Sequence, residues 1–149
     1  MEVPPPKENL TPEQARERAL AVMAAAKFPA LATADGDQPR VRPVSPVLTD
    51  GFTVFIASLR SSNKTGELER NRNVELCYLS PDHDHVRITG RMILITDPEL
   101  RQKIWDVNPL LRAYLKSIDN PEFLLYAIEP VRVRYMKEWA LEYHEVPVK

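Results

Sequence analysis

The stretch that decides the fold runs from Phe52 to Tyr78, FTVFIASLRSSNKTGELERNRNVELCY. Apolar and β-branched residues at Phe52–Ser58 predict a strand, and a second run at Val74–Leu79 predicts another. Between them, Ser61-Ser62-Asn63-Lys64 opens a segment, Thr65–Asn71, that is typical of a short helix. Hydroxyl, amide and ammonium groups then gather at a helix N-terminus, where free backbone N–H groups favour a bound anion. The stretch predicts a strand–turn–helix–strand unit with a phosphate seat in its turn.

Strand patterns and turn signals continue on both sides of this unit. Asp35-Gly36 and Asp50-Gly51 are pairs that favour tight hairpins, and Arg40–Leu48 between them alternates as a strand does. Two prolines in that segment cannot donate to a ladder, so we expect an edge or bulged strand. Further strands are predicted at Ala30–Ala34, Val86–Thr96, Phe123–Glu129 and Val131–Met136.

Helix signals stand at the start and late in the chain. Thr11–Gln14 combines a capping box with proline at the first helical position, which predicts a helix that ends by Pro29. A second helix is predicted from Asp97 through about Val107, with Leu110–Lys116 resuming it after a proline. Antiparallel hairpins with a few helices predict an α+β fold, mainly β, built on a small closed barrel.

The composition limits the class of protein. The chain has 149 residues, of which 44% are hydrophobic and 28% charged, with a net charge of −1. These values predict one globular domain, assigned to 11–149, and they argue against nucleic-acid binding. Pro4-Pro5-Pro6 predict a flexible lead at 1–10. No apolar run approaches the ~20 residues of a membrane span, so we expect no membrane association. The single cysteine, Cys77, allows no intrachain disulfide and suits a cytoplasmic protein.

Short motifs occur in a recognisable order along the chain. They are Leu31-Ala32-Thr33, Pro39–Val44, Phe55–Ser58, Ser62-Asn63-Lys64, Glu67-Leu68, Asn73-Val74, Val86–Gly90, Asp97, Trp105 and Leu124–Pro130. Together they resemble the pyridoxamine 5′-phosphate oxidase-like FMN-binding split-barrel family, most closely its general-stress-protein branch. The resemblance implies a six-stranded antiparallel split β-barrel with peripheral helices. It also implies a homodimer that holds FMN in a groove between its subunits.

The resemblance names the residues of that groove. The implied cofactor-binding residues are Arg42, Pro43, Val44, Ser45, Ile56, Ala57, Ser58, Ser62, Asn63, Lys64 and His85. Arg42 would reach the phosphate or the ring edge, and Ser62 with Lys64 would hold the phosphate. His85 would contact the flavin. The chain departs from the oxidase at Ala57 and Asn63, where the oxidase has threonine and arginine.

The implied function is that of an FMN-binding flavoprotein, an oxidoreductase whose small substrate or redox partner the sequence does not name. The C-terminal arginine and histidine pattern of true pyridoxamine 5′-phosphate oxidases is not evident, so we do not expect pyridoxal phosphate synthesis. The alternative is a non-catalytic stress-response protein that holds flavin, the deazaflavin F420 or haem. No catalytic residue is assigned.

Simpler interpretations stay open for several residues. Lys64 at a helix start can be a solvated charge, and Arg40 and Arg42 can be the charges of an edge strand that deter aggregation. His83 and His85 share a strand face, but no third ligand accompanies them, so a polar turn is preferred to a metal site.

Two further groups carry alternatives. Trp105, Leu110-Leu111 and Tyr114 form either a lid over the flavin from the other subunit or the core face of a late helix. Cys77 alternates with apolar neighbours on its strand, which favours a buried small hydrophobe.

Overall fold

The computed structural model describes residues 2–3 and 8–149. Pro4-Pro5-Pro6 in the predicted lead lie outside the described residues. The strands are β1 (Ala30–Asp35), β2 (Gln38–Pro43), β3 (Leu48–Asp50), β4 (Thr53–Leu59), β5 (Asn73–Leu79), β6 (His85–Leu94), β7 (Phe123–Met136) and β8 (His144–Val146). The helices are α1 (Pro12–Ala25), α2 (Asn63–Arg70), α3 (Pro98–Asp106) and α4 (Pro109–Leu115).

All of these strands belong to one antiparallel sheet. Its order is β2-β1-β5-β6-β7-β4-β3, with β8 paired to β7. Within residues 8–149 the edge strands β2 and β3 do not pair with each other, so the sheet is not closed. The expected α+β class and split barrel are confirmed, and the closed barrel is wrong. Six strands are six residues or longer, whereas β3 and β8 have three residues each.

The inner side of the sheet holds the main core. Helix α1 begins with the predicted capping box, because Thr11 N donates to Gln14 Oε1 at 2.9 Å and Gln14 N donates to Thr11 Oγ1 at 3.2 Å. Its small and branched residues pack against β5, β6, β7 and β8. The largest aliphatic side chains in this core are Leu31, Ile56, Leu68, Leu76, Ile88, Met92 and Ile128. Burial of these apolar side chains is the main stabilising contribution.

Helices α3 and α4 cover part of the outer side of the sheet. Trp105 packs there with Phe55, Phe123 and Leu125 in a second core. The core interpretation of Trp105 is therefore confirmed, whereas Leu110 and Tyr114 are exposed. No described helix has the length and apolar character needed to cross a membrane.

Strand β7 is continuous, so the prediction of two strands around Pro130 is wrong. Pro130 pairs with Gly90 and Arg132 pairs with Thr89, which leaves Val131 as an extra residue on β7. This β-bulge accommodates a residue that lacks an N–H group without ending the strand.

The predicted strand Arg40–Leu48 divides into two. Strand β2 ends at Pro43 and lies at the sheet edge, as its prolines indicate, and β3 begins at Leu48. The connection is held by hydrogen bonds from Val44 N to the Pro29 carbonyl and from Val47 N to the Phe55 carbonyl, at 2.9 and 2.8 Å.

Candidate functional site

A pocket opens where the start of α2 meets the β1–β2 hairpin, and we call it the α2 pocket. Its volume is about 780 Å³. It is lined by Asp35, Arg40, Arg42, Arg60, Ser62, Asn63, Lys64, Thr65, Gly66, Glu67, Glu69 and Arg70. Five of these side chains are cationic and three are anionic, so the pocket has an excess of positive charge that favours an anionic ligand.

Helix α2 presents its N-terminus to this pocket. Ser62 is the N-cap rather than a residue three positions before the predicted helix start at Thr65, and Asn63 is the first helical residue. The Ser62 hydroxyl makes no capping hydrogen bond, and the first turn contains no acidic residue. Because the first N–H groups of a helix lack intrahelical partners, this turn and the Ser62 hydroxyl can donate to an anion.

Lys64 is a half-buried cation held against the base of the pocket. Its Nζ donates to Ser58 Oγ at 3.1 Å, Ser58 Oγ lies 2.9 Å from Thr65 Oγ1, and Thr65 Oγ1 donates to the Leu59 carbonyl at 2.7 Å. Burial lowers the pKa of Lys64 below its ordinary 10.5, the Arg42 charge lowers it further, and Glu67 opposes both. Among residues 8–149 no carboxylate lies within ion-pair distance of Lys64. A bound anion would relieve the cost of this charge.

Arg42 has a carboxylate partner, which is Glu67. Arg42 Nη2 donates to Glu67 Oε2 at 2.7 Å, and Nη1 donates to Thr33 Oγ1 at 2.7 Å and to the Leu31 carbonyl at 3.3 Å. Thr33 Oγ1 also donates to Glu67 Oε2 at 2.5 Å. The Thr33 hydrogen bond and then Arg42 lower the pKa of Glu67, although its burial opposes them. The charge of Arg42 is therefore neutralised within the protein.

The loop before α2 is fastened to the turn that precedes β7. Arg60 Nε donates to the Pro121 carbonyl at 2.9 Å, and Ser61 N and Oγ donate to Glu122 Oε2 at 3.1 and 2.8 Å. These hydrogen bonds to Ser61 lower the pKa of Glu122. The helix start is thus held in place before any ligand binds, which reduces the entropy lost on binding.

The structure brings a subset of the predicted cofactor residues together. Arg42, Ser62, Asn63 and Lys64 line the α2 pocket, and Ser58 lies behind Lys64. The sequence interpretation of this turn as an anion seat agrees with that grouping. The contact of any of these residues with FMN stays a prediction.

Five other predicted residues lie outside the pocket lining. Ile56 is buried in the main core, and Ala57 packs beside the second core under α3 and α4. Val44 packs against the main core, while Pro43 and Ser45 are exposed at the end of β2 and after it. Within one chain, the side chain of Ile56 therefore has no access to a groove.

His85 belongs to a polar group on the outer side of the sheet, which we call the outer-face cluster: Glu75, His85, Arg87, Arg134 and Tyr143. His85 Nε2 lies 2.8 Å from Tyr143 Oη, and the Tyr143 ring lies 5.8 and 5.0 Å from the Arg87 and Arg134 guanidinium carbons. Both arginines bond to Glu75 Oε2, with Nη2 at 2.6 and 3.4 Å. Burial and then Arg87 lower the pKa of His85.

The outer-face cluster and the α2 pocket lie on opposite sides of the sheet. His85 and Arg87 alternate along β6 with the buried Val86, which faces the main core. Arg42 stands opposite Leu31 in the β1–β2 ladder, so its side chain leaves the sheet on the core side. Within one chain, His85 therefore does not lie beside the residues predicted to hold the phosphate.

The structure also places two other residues that the sequence singled out. His83 Nδ1 lies 3.2 Å from Glu138 Oε1 in a turn, and no metal-binding group of three or more His, Cys, Asp or Glu residues is present in the described part of the chain. Cys77 is half-buried rather than buried, because its side chain lies on the outer side of the sheet. Burial raises the pKa of its thiol.

A model of the family described as pyridoxamine 5′-phosphate oxidase matches residues 15–137. The chain belongs to this family. The match runs from α1 to the end of β7, so it includes the α2 pocket and ends before Tyr143. General stress protein 26 of Bacillus subtilis (strain 168) is 27% identical over 126 residues, which cover 81% of this chain and 87% of the relative. The resemblance to the general-stress-protein branch of the pyridoxamine 5′-phosphate oxidase family is confirmed.

Solved structures share the split-barrel fold of the family. A Clostridium acetobutylicum protein related to general stress protein 26 has a TM-score of 0.75 at 14% identity, covering 91% of this chain and 95% of its own. An FAD-binding protein from Mesorhizobium loti has a TM-score of 0.63 at 19% identity, covering 78% and 90%. A haem-binding protein from Mycobacterium smegmatis has a TM-score of 0.74 at 16% identity, covering 95% and 60%.

Proposed function

We propose that the chain is an FMN-binding flavoprotein, an oxidoreductase that holds the phosphate of FMN in the α2 pocket. The observation that carries the proposal is Lys64, a half-buried cation with no carboxylate partner among the described residues, beside a helix start with no acidic residue. A phosphate monoester is the ligand group that such a seat suits best. Membership in the family and the fold shared with an FAD-binding protein support it.

The pocket residues fit the phosphate by their chemistry. Lys64 supplies a charge-assisted hydrogen bond, while Ser62 and Asn63 supply a hydroxyl and an amide that can donate. Ser58 keeps the ammonium group oriented toward the pocket, since Lys64 Nζ donates to its hydroxyl. When bound, the flavin supplies hydride and electron chemistry, and the protein supplies binding and orientation.

The first prediction tests this seat by removing its main cation. Lys64→Ala is expected to weaken FMN binding by about 1–3 kcal/mol, because a hydrogen bond to a charged group is lost. The change is measured by titrating FMN and following the quenching of its fluorescence. Riboflavin, which lacks the phosphate, should bind the wild-type chain and the variant equally.

Lys103→Ala is the matched control, because Lys103 is an exposed lysine on α3, away from the α2 pocket. It should leave the affinity for FMN unchanged. Equal FMN affinities for wild type and Lys64→Ala would contradict the assignment of the phosphate to this pocket.

The two sides of the sheet support a homodimer with a shared groove. A single chain presents Lys64 and His85 on opposite sides, so a ligand that contacts both would bridge two copies. The outer side of β2 and β5 is uncovered, and Val41 and Leu79 there are 70% and 58% exposed. A second copy docked on this side would bury both side chains.

Haem is the second candidate ligand. The fold resembles that of a haem-binding protein from Mycobacterium smegmatis, and His85 provides an imidazole on the outer side of the sheet, where its Nε2 meets Tyr143 Oη. An absorption spectrum of the purified protein separates the candidates, because flavin and haem have different visible bands. In the haem case His85→Ala abolishes the haem band, whereas in the FMN case Lys64→Ala reduces the flavin bands.

A further inference from the structure

Glu67 places a buried negative charge in a pocket suited to anions. Its side chain is 8% exposed and lines the α2 pocket. Burying a carboxylate costs free energy unless hydrogen bonds and an opposite charge compensate it. Thr33 Oγ1 at 2.5 Å and Arg42 Nη2 at 2.7 Å provide that compensation. A carboxylate at this position repels an anion, although the other charges of the α2 pocket favour one.

The guanidinium of Arg42 donates its hydrogen bonds to other groups of the protein. Nη2 donates to Glu67, and Nη1 donates to Thr33 and to the Leu31 carbonyl. The guanidinium lines the pocket, yet its charge is balanced 2.7 Å away. The strongest candidate for a second phosphate ligand is therefore already engaged.

A second carboxylate restrains two more cations of the pocket. Arg40 and Arg70 lie 3.2 and 3.4 Å from the two oxygens of Asp35. Because these groups are exposed, their interactions are weaker and more easily exchanged than the Arg42–Glu67 pair. Lys64 and Arg60 are left as the cations that have no carboxylate partner among the described residues.

We propose that Glu67 is a specificity-determining residue that withholds Arg42 from the ligand and so limits the α2 pocket to a single phosphate group. The pocket then accepts a phosphate monoester and gains little from a diphosphate, because the Arg42 guanidinium that acts on Lys64 is engaged by Glu67 and Arg60 donates its Nε to the Pro121 carbonyl. This inference rests on the proposed function and sharpens it, since FMN is a monoester whereas a dinucleotide carries a diphosphate.

The experiment compares inorganic phosphate with pyrophosphate by isothermal titration calorimetry. The wild-type chain is expected to bind the two anions within about fivefold of each other, which is the range left by exposed charge interactions. Glu67→Gln keeps the size of the side chain and removes the charge that holds Arg42, so in this variant pyrophosphate binding is expected to tighten about tenfold relative to phosphate.

Two further variants separate the release of Arg42 from a general change in charge. Glu69→Gln removes a charge from an exposed carboxylate that lines the same pocket, and it should leave the ratio of the two affinities near the wild-type value. Arg42→Met combined with Glu67→Gln should abolish the tenfold gain, because the guanidinium that Glu67 withholds is absent.

Three results would overturn the proposal. They are a wild-type chain that prefers pyrophosphate by well over fivefold, a Glu67→Gln variant with an unchanged ratio, and a gain that persists without Arg42. The wild-type comparison needs no variant, so it decides even if Glu67→Gln does not fold. FMN titration of the wild type tests the proposed function separately. If Glu67→Gln changes the ratio of the two anion affinities as expected but the wild type does not bind FMN, only the FMN assignment is wrong.

Discussion

The half-buried Lys64 and the buried Glu67 are two charges in one pocket that differ in their partners. Glu67 receives hydrogen bonds from Thr33 and Arg42, so its ionised form is stabilised and its pKa is lowered. Lys64 has the Ser58 hydroxyl beside it, so burial disfavours its charged form and lowers its pKa. An arriving anion would stabilise the charge of Lys64 and be repelled by that of Glu67. The net contribution of these two charges to anion affinity is the attraction by Lys64 less the repulsion by Glu67.

The lowered pKa of Glu67 predicts how stability depends on pH. Since the folded-state pKa lies below the ordinary 4.5, the ionised carboxylate stabilises the fold fully above pH 4.5. That stabilisation is lost as the pH falls through the lowered folded-state pKa. Glu67→Gln should reduce the free energy of unfolding at pH 7 by about 1–3 kcal/mol. As the pH falls, the free energy of unfolding of this variant should decrease less than that of the wild type.

Urea unfolding at a series of pH values from neutral to acid measures this difference. Glu69→Gln is the control, because its carboxylate is exposed and should give an acid profile close to that of the wild type. If Glu67→Gln and the wild type lost stability in parallel on acidification, the contribution of Glu67 would be contradicted.

The grouping of Ser62, Asn63 and Lys64 at the start of a helix could be predicted from the sequence because that signal is local. Ser62, Asn63 and Lys64 are consecutive, and their chemistry at a helix start is readable without a fold. The partner of Arg42 could not be predicted from the sequence, because Glu67 lies 25 positions away and meets Arg42 only through the packing of α2 on β1, the neighbour of β2. Hydrogen bonds across such distances depend on tertiary structure.

The same distinction holds for the elements. The capping box of α1 and the Asp97 cap of α3 were predicted correctly, since each is formed within four residues. The continuity of β7 was predicted wrongly, because it depends on the register of β6 across the sheet. Strand β8 was not predicted, since three residues give too short an alternation to recognise.

Gly90 makes the β6–β7 bulge possible, and this gives a prediction at the scale of the strand pair. A Cβ at position 90 would lie 2.7 Å from Ile128 Cγ2 and 2.9 Å from the Glu129 carbonyl oxygen. Because the second contact is with backbone, the two strands would have to separate locally. Gly90→Ala should therefore reduce the free energy of unfolding by about 1–3 kcal/mol.

Gly66→Ala is the matched control for this substitution in urea unfolding. At position 66 in helix α2 a Cβ would meet only the flexible Arg70 side chain, at 3.6 Å. Alanine is favoured over glycine within helices by about 1 kcal/mol, so this variant should be as stable as the wild type or more stable. A Gly90→Ala chain of wild-type stability would show that the bulge does not require glycine.

At the scale of the molecule, the helices cover the outer side of the sheet unequally. Helices α3 and α4 pack over β4 and the first half of β7, where Phe55, Phe123 and Leu125 form the second core. In the part of the chain that the structure describes, no helix packs over the outer side of β2, β1 and β5, and Val41 and Leu79 are exposed there. In the proposed homodimer, a second copy of the chain would cover this surface and bring its own residues to the edge of the first.

The shared groove predicts that two defective chains restore one intact site. If Lys64 of one copy and His85 of the other hold the same flavin, a heterodimer of Lys64→Ala and His85→Ala chains contains one site with both residues and one with neither. Each homodimer has only singly defective sites. Mixing the two chains, with different affinity tags to isolate the heterodimer, should recover tight FMN binding at half the sites.

Titration of the isolated heterodimer with FMN gives both the affinity and the number of tight sites. A heterodimer of Lys64→Ala with Lys103→Ala should show half occupancy wherever the groove lies, and so it verifies that mixing succeeded. Light scattering should give twice the mass of one chain. If the Lys64→Ala and His85→Ala heterodimer bound FMN only as weakly as its parent homodimers, the two residues would not share a ligand across the interface. A His85→Ala homodimer that binds FMN as tightly as the wild type would instead indicate that the α2 pocket of one chain holds the flavin and that the outer-face cluster belongs to a separate surface.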